Sequence, residues 1–517
     1  MLLHLDGEGG KRYNDPAEFS VNLSGGAGLP ATNMQEIKWL SQGGAVSVRD
    51  GVYTPDTQED SYLFSEEKAP RDFCFSCEVK INKPGDCGVL FRAQGKNGIE
   101  WIAGYYFSFN ADTHTVTLQN VNGGDHYKNE LGRITCPFEY GKWYTVKVCM
   151  QDYNARLWFN NFEHEIPPYY TKFDLQLKHF PRGVIGLHFG EGVAEFRSVS
   201  LGENTEVFDL DPDKSYQNPI IYGADPDIMY HDGTYYLYYT DTQDMSLFQC
   251  YTSKDLVHWS EPHVVFHGCD GWGNNEYMSP NVIYYKGLFY MFYASHTAWD
   301  ENHKRRVQVA YASSTSPLGP FKSKTCRPLH TDIQEIGGHP FVDEDGRVYL
   351  SVVRFNHGNE VWAYEVKLED GVVTSVEETL TKLMVPDCDW ERDYANIVEG
   401  AVIFKHNDLY YTVYAGSHYK GSYAEGLAWA KHPLGPYTKY EYNPILRKTA
   451  FTRGTGDSVY VRNARGEYIM FYHQHFSVTE ISPRQICMDR MKFVKMDDGP
   501  DVLIVNGPTA TPQPGLA

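Results

Sequence analysis

The sequence predicts an all-β chain, a jelly-roll-like β-sandwich followed by a five-bladed β-propeller. Three observations carry this expectation. The second half repeats one form five times: a short polar or Asp-containing motif, an apolar strand, a tight turn and an aromatic strand. The first part lacks that repeat and holds longer strand-like runs between turns rich in Gly, Asp and Asn. No amphipathic stretch of helical period and length stands out between the repeats. At 517 residues the chain also exceeds one ordinary core, so two domains are expected.

The repeats run in order. Asp225-Pro226-Asp227-Ile228 leads to Tyr235–Thr240, and Ser279-Pro280-Asn281-Val282 to Phe289–Ala294. His339-Pro340-Phe341-Val342 leads to Val348–Val353, Glu399-Gly400-Ala401-Val402 to Leu409–Ala415, and Gly456-Asp457-Ser458-Val459 to Tyr468–His473. Successive starts lie about 55–60 residues apart, close to the periods that mark propellers and solenoids. Asp232-Gly233, Lys286-Gly287, Asp345-Gly346, Asn407-Asp408 and Arg465-Gly466 supply a hairpin turn in each unit. Units of short antiparallel strands too small to stand alone imply blades around a channel.

Ahead of the repeats, eight runs read as sandwich strands: Phe73–Ile81, Gly88–Ala93, Tyr105–Asn110, Thr115–Asn120, Trp143–Gln151, Arg156–Asn160, Val184–Phe189 and Ala194–Val199. The polar, acidic stretch around Asp211-Pro212-Asp213 places the boundary, giving domains 1–205 and 206–517.

Composition narrows the partners. A formal charge of −21 repels phosphate backbones and argues against nucleic acid. No apolar run approaches the roughly 18–20 residues that cross a bilayer, so no membrane partner is expected. The aromatic share of 15%, with 39 Tyr and 10 Trp, suits strands and also platforms for sugar rings. Met1-Leu2-Leu3-His4-Leu5-Asp6 shows neither the basic region nor the apolar core of a signal peptide. The expectation is a cytoplasmic chain, or a secreted one whose signal has been removed. Of ten cysteines, Cys74 and Cys77 form a C-x-x-C inside a strand with no second pair to complete a zinc site. Buried free thiols are expected, in keeping with a reducing compartment.

Propellers set the first strand of each blade around the channel, so polar groups that open those strands converge at one mouth. Asp225 opens the first blade and Glu399 the fourth. Two carboxyls facing one pocket are what glycoside hydrolysis requires, an acid for the leaving oxygen and a base for water. Read without any family, each acid is equally open to a strand-end cap or a turn motif.

Several motifs now fall into order: Ala224-Asp225-Pro226-Asp227-Ile228, Ser253-Lys254-Asp255-Leu256-Val257-His258-Trp259, Ser316-Pro317-Leu318-Gly319-Pro320-Phe321 echoed by His432-Pro433-Leu434-Gly435-Pro436-Tyr437, Val342-Asp343-Glu344-Asp345-Gly346, Val398-Glu399-Gly400 and Arg484-Gln485-Ile486-Cys487-Met488. Together they resemble glycoside hydrolase family 43 over about Asn218 to Pro514. The resemblance implies Asp225 as general base and Glu399 as general acid of an inverting mechanism, with the carboxyls roughly 6.5–9.5 Å apart. It also implies Arg484 as a contact to the sugar.

The sequence departs from the family pattern in three places. The family's third acid falls on Gly337, with Glu335 and Asp332 as nearby loop acids. The acidic residue after the second-blade proline is Asn281. The fifth-blade Gly-His, whose His often holds a central calcium, reads Gly456-Asp457. No cofactor is required for the chemistry. Asp457 is a candidate ligand for a structural calcium in the channel, or a satisfied polar residue. His339 at the rim is a candidate partner of the acid or of a substrate hydroxyl. Trp272, Trp299 and Trp390 lie in loops near the rim, as sugar platforms or as packing between blades.

The front sandwich is similar to concanavalin-type sugar-binding modules, including fructan-binding ones, on Gly88–Ala93, Trp143–Val146 and Gly183–Leu187. Sugar binding and a purely structural or pocket-completing role both follow from that. The expected function is an exo-acting hydrolase that removes a terminal pentose, α-L-arabinofuranose first and β-D-xylose second, from plant cell-wall oligosaccharides, its partner being that oligosaccharide or polysaccharide substrate. The alternatives are a non-catalytic sugar-binding propeller, or a propeller enzyme for another glycoside such as a fructoside or galactoside. The Ala-Asp-Pro-Asp-Ile opening differs from the Asn-Asp-Pro-Asn-Gly of fructosidases. Lys304-Arg305-Arg306 is the one dense basic run that a phosphorylase would want.

Overall fold

The computed structural model describes residues 37–94, 102–122, 127–160, 162–166, 180, 182–204, 210–269, 272–273, 276–297 and 305–516. Almost every element is a strand, and the sole α-helix among the described residues is the single turn Asp389–Arg392. The front portion is a sandwich of two seven-stranded antiparallel sheets. One sheet runs Trp39–Gly43, Ser61–Ser65, Val184–Gly190, Asp86–Gln94, Ala103–Asn110, Thr115–Asn122, Tyr127–Thr135. The other runs Phe162–Ile166, Asn154–Phe159, Trp143–Gln151, Phe73–Ile81, Ala194–Glu203, Val52–Pro55, Val46–Arg49. All eight expected strands are present. Six more join them, most of them short edge strands whose four or five residues carry little pattern.

The central strand Phe73–Ile81 shows why this register holds. Phe73, Phe75, Cys77, Val79 and Ile81 alternate into the core between the sheets. Each fully buried Phe, Val or Ile stabilises by about 2 kcal/mol. A one-residue slip would turn the whole set outward.

Five sheets form the propeller. The first blade runs from Ala224–His231 through Thr234–Thr240 and Phe248–Ser253 to His263–Phe266. The second has three strands, Tyr277–Tyr285, Leu288–His296 and Val307–Ser314. The third runs Glu335–Val342, Val348–Phe355, Asn359–Glu369, Val372–Met384, and the fourth Val398–His406, Leu409–Gly416, Ala424–Ala430, Thr438–Lys439. The hairpin signals sit where expected: Asp232-Gly233 and Lys286-Gly287 both take positive φ, as a two-residue turn between twisted strands demands.

The fifth blade is not self-contained. Behind Gly456–Arg462, Tyr468–Gln474 and Gln485–Val494, its outer neighbour is Ile221–Tyr222, which precedes the first blade in sequence. Ile220 N–H donates to the Ile486 carbonyl at 2.8 Å and Gly223 N–H to the Arg484 carbonyl at 2.9 Å. This clasp closes the ring.

The sandwich docks on the stretch between the fourth and fifth blades. Ile504 joins the sandwich core, with Ala450, Phe451 and Val494 packed against it. Thr135 Oγ1 donates to the Pro444 carbonyl at 2.7 Å, and the His114 ring stacks on Tyr442 at 3.6 Å.

The cysteines depart from the expectation of free thiols. Cys74 and Cys77, three apart on a strand, point to opposite faces, so they cannot pair with each other. Cys74 instead lies directly across from Cys149 and is bonded to it. Cys269 is bonded to Cys326, while Cys77, Cys87, Cys136, Cys250, Cys388 and Cys487 are free. Closing a loop of 57 residues restricts the unfolded chain enough to stabilise by about 4 kcal/mol. Peptide mapping of alkylated, non-reduced protein should recover Cys74 joined to Cys149 and Cys269 to Cys326. Alkylation of all four in the denatured, unreduced chain would contradict the pairing.

Candidate active site

The innermost strand of every blade breaks register at the same place. The breaks fall between Ala224 and Asp227, Met278 and Asn281, Ile336 and His339, Glu399 and Val402, and Gly456 and Val459. Each contains one residue in the left-handed region: Asp225 (φ 47°), Ser279 (51°), Gly337 (63°), Gly400 (59°) and Asp457 (56°). A bulge of this kind adds a residue and re-aims the side chain there. Five of them form a ring around the channel, and Asp225 and Asp457 occupy two adjacent places in it.

Asp225 is tied across the ring closure. Arg484 Nη1 stands 3.0 Å from its Oδ1, and its own main-chain N–H donates to His473 Nδ1 at 3.3 Å. Asp457 and Thr240 add hydrogen bonds to the carboxylate. Desolvation opposes the charge, but Arg484 foremost among these partners overcomes it and holds Asp225 down to about 2. His473 stays neutral, because burial and the neighbouring Arg484 cation depress it well below the usual imidazole range.

Glu399 is placed by two other blade elements. Tyr423 Oη donates to its Oε1 at 2.7 Å, and Asn359 Nδ2 donates to its Oε2 at 2.7 Å. The Tyr423 ring lies over His473, 5.5 Å between centroids, which links the surroundings of the two carboxyls. Desolvation, helped by the charge on Asp225, raises Glu399 above the ordinary carboxyl value despite those two hydrogen bonds. Glu425 stands on the same cross-strand row, reached from Glu399 through Ala415. Burial pushes Glu425 up to about 8, and its Oε1 accepts from Ser458 N–H at 3.1 Å.

Asp457 sits between these groups. A Cβ at Gly400 would collide with its Oδ1, so the glycine after Glu399 makes room for it. Desolvation, then the Asp225 charge and the hydrogen bond to it, push Asp457 well above the usual range. One ionised and one protonated carboxyl are therefore held together, with a second protonation-prone carboxyl at Glu399.

The remaining expected residues divide. His339 is buried at the channel with no hydrogen-bond partner on either ring nitrogen among the described residues, and burial lowers it to about 4. A Cβ at Gly337 would lie 3.6 Å from its Nε2, so a neutral imidazole faces the place where the third acid is missing. Arg484 is the ion partner of Asp225, and its guanidinium also lies 4.9 Å from the Tyr419 ring centre. Asn281 is buried and turned onto its own bulge, donating to the Ser279 carbonyl at 3.1 Å. Trp272 packs with Tyr293 against the core shared by the first two blades, and its Nε1 donates to Gln308 at 3.4 Å. It is packing, not a platform. Trp299 and Lys304 lie outside the described residues.

Glu335 is not a solvated loop acid: it is 1% exposed, held by Arg354 Nε at 2.8 Å and by His330 Nδ1 at 2.7 Å. Asp332 is exposed. Neither stands in for the missing acid. The calcium expectation for Asp457 meets a poor ligand set. Asp225, Asp457 and His473 have ligand atoms within 4.8 Å of one another, but Arg484 already sits on Asp225. Calcium takes about six to eight oxygens, and a hydrogen-bonded carboxyl pair, an imidazole and a guanidinium do not supply them. His473, Tyr423, Asn359 and Glu425 escaped the sequence reading. Only His473 carried a signal, as the last residue of an expected strand.

The fold and this pair of carboxyls agree with three comparisons. The family model for glycosyl hydrolases family 43 matches residues 216–499, more than half the chain, and the 3-keto-alpha-glucoside-1,2-lyase-like domain matches residues 22–202. A non-reducing end alpha-L-arabinofuranosidase of Bacteroides ovatus is 25% identical over 45% of this chain and 42% of its own length. A xylan 1,3-beta-xylosidase of a Vibrio species is 24% identical over 49% of this chain and 48% of its own. The match thus spans less than half the length of each of these two curated relatives. The crystal structure of a thermostable family-43 glycoside hydrolase is 31% identical, covering 58% of this chain and 99% of that one, with a TM-score of 0.50. With its propeller, its ordered motifs and a family match running from the clasp to the last blade, the chain belongs to glycoside hydrolase family 43.

Proposed function

We propose that the protein is an inverting, exo-acting glycosidase that removes a terminal pentose from plant cell-wall oligosaccharides, with Asp225 as base and Glu399 as acid. The observation that carries this reading is the opposite bias of the two carboxyls, Asp225 held ionised and Glu399 pushed toward its protonated form. That split is what lets one group accept a proton while the other gives one. Asp225 takes a proton from water as the water oxygen attacks the anomeric carbon. Glu399 delivers its proton to the glycosidic oxygen as that bond breaks. The names of the two curated relatives favour α-L-arabinofuranose and β-D-xylose as the released sugar. The two disulfides favour a secreted setting over the cytoplasm.

Asp457 takes the tuning role that Gly337 leaves open. Its proton, shared toward Asp225, keeps the net charge beside Glu399 at one rather than two. Two like charges so close would raise both groups and blunt their difference.

The first test uses 4-nitrophenyl α-L-arabinofuranoside and β-D-xyloside beside the matching trisaccharides. Asp225→Asn should lower kcat/KM about a thousandfold on all of them. Glu399→Gln should cost about tenfold on the nitrophenyl glycoside, whose leaving group needs little protonation, and about a thousandfold on the trisaccharide. Equal losses on both would remove Glu399 as the acid. Arg484 favours the ionised form of Asp225, so without it the carboxyl ionises only at higher pH. Arg484→Met should therefore move the acidic limb of the kcat/KM profile up by about two pH units and leave the basic limb in place. Gly400→Ala forces a side chain into both a left-handed position and the space of Asp457. A tenfold or greater fall in kcat, about 1.4 kcal/mol, is expected with the fold retained by circular dichroism.

A further inference from the structure

A cavity of about 300 Å³ lies beside the catalytic pair without containing either carboxyl, at the small end of the range for ligand sites. Trp390, Asp393, Ser422, Arg447 and Lys448 line it. It adjoins the acid through the chain: Ser422 and Ala424 line the cavity, and Tyr423 between them is the residue that donates to Glu399. Neighbours along an extended chain point to opposite faces, so the strand separates the cavity from Glu399 by its own thickness.

The lining is polar and incompletely used. Arg447 is half-buried and makes no hydrogen bond or ion pair among the described residues. Burial and the like charge of Arg133 work against its cation, while Glu130 and Asp393 support it from a distance. Arg133 and Glu130 belong to the sandwich strand Tyr127–Thr135, which also bonds to the Pro444 carbonyl on the cavity wall. The sandwich therefore helps to fix the position of this arginine. An aromatic surface completes the set. Trp390 is wedged against Gly416, where a Cβ would collide with it, and the exposed Tyr394 leans on Gly421. Unused donors, a free carboxylate and aromatic carbon together match the hydroxyls and C–H faces of a neutral sugar ring.

We propose that this cavity is a second sugar subsite, which takes a neutral sugar unit of the substrate beyond the bond that is cut. The inference rests on the glycosidase reading above. It gives the protein a preference for oligosaccharides over simple pentosides, and it gives the docked sandwich a part in substrate selection.

The test compares kcat/KM for (1→5)-α-L-arabinotriose and (1→4)-β-D-xylotriose with that for the corresponding 4-nitrophenyl pentosides, which leave the cavity unfilled. Arg447→Ala, which breaks no bond within the protein, should lower the ratio of trisaccharide to nitrophenyl activity tenfold or more, chiefly through KM. Trp390→Phe should lower it in the same direction. Ratios within twofold of the wild type in both variants would overturn the subsite. Should the wild type cleave none of these compounds, the glycosidase reading fails by itself. The subsite is then read by calorimetry of trisaccharide binding to Glu399→Gln. Arg447→Ala in that background should weaken binding tenfold or more, and unchanged or undetectable binding in both proteins would overturn it.

Discussion

Everything in the channel hangs on one backbone irregularity, repeated five times. Each inner strand carries an extra residue in the left-handed region at the same height. A left-handed residue other than glycine costs about 1–2 kcal/mol, with Asp among the less penalised types. Two of the five places hold Asp and two hold Gly. The Asp places put carboxyls into the channel from neighbouring blades. The Gly places do the reverse: Gly400 clears room for Asp457, and Gly337 leaves a space that the His339 ring faces. The pattern of side chain and gap around one ring decides where charge can sit.

Within that ring the charges are balanced against each other rather than separately. One guanidinium serves Asp225, so that carboxyl alone is held firmly ionised. Asp457 and Glu399 then sit close to an existing negative charge in a poorly solvated place, and both are driven toward the neutral form. The uncharged Tyr423 and Asn359 orient Glu399 without supplying a cation that would ionise it. The usual third acid is absent, yet the division of protons persists, because a carboxyl from the fifth blade stands where it feels both partners.

Much of this was legible beforehand. The five polar motif heads mark the five bulges, since Asp and Gly in a strand-opening position are what such a conformation selects. The hairpins were readable from Asp-Gly and Lys-Gly pairs, and the long sandwich strands from alternation. What escaped was set by distance in sequence. Nothing around Tyr423 or Asn359 announces that they meet Glu399, because that depends on how blades three and four pack. Trp272 looked like a platform because loop tryptophans on a rim often are, but the apolar space between two blades claimed it. The thiols of Cys74 and Cys77 looked alike in sequence. The strand's two-residue period sends one into the core and the other across to Cys149.

The clasp strand has a consequence for biosynthesis. Arg484 and Asp225 are 259 residues apart, joined only when Ile221–Tyr222 pairs with Gln485–Val494. A ribosome that has finished four blades has already made Asp225 and Glu399, but neither the cation that ionises Asp225 nor the strand that pairs with the clasp. The emerging chain thus carries its reactive carboxyls unarmed. Interrupted translation products are inert toward the saccharides around them, and arming the enzyme coincides with completing the ring.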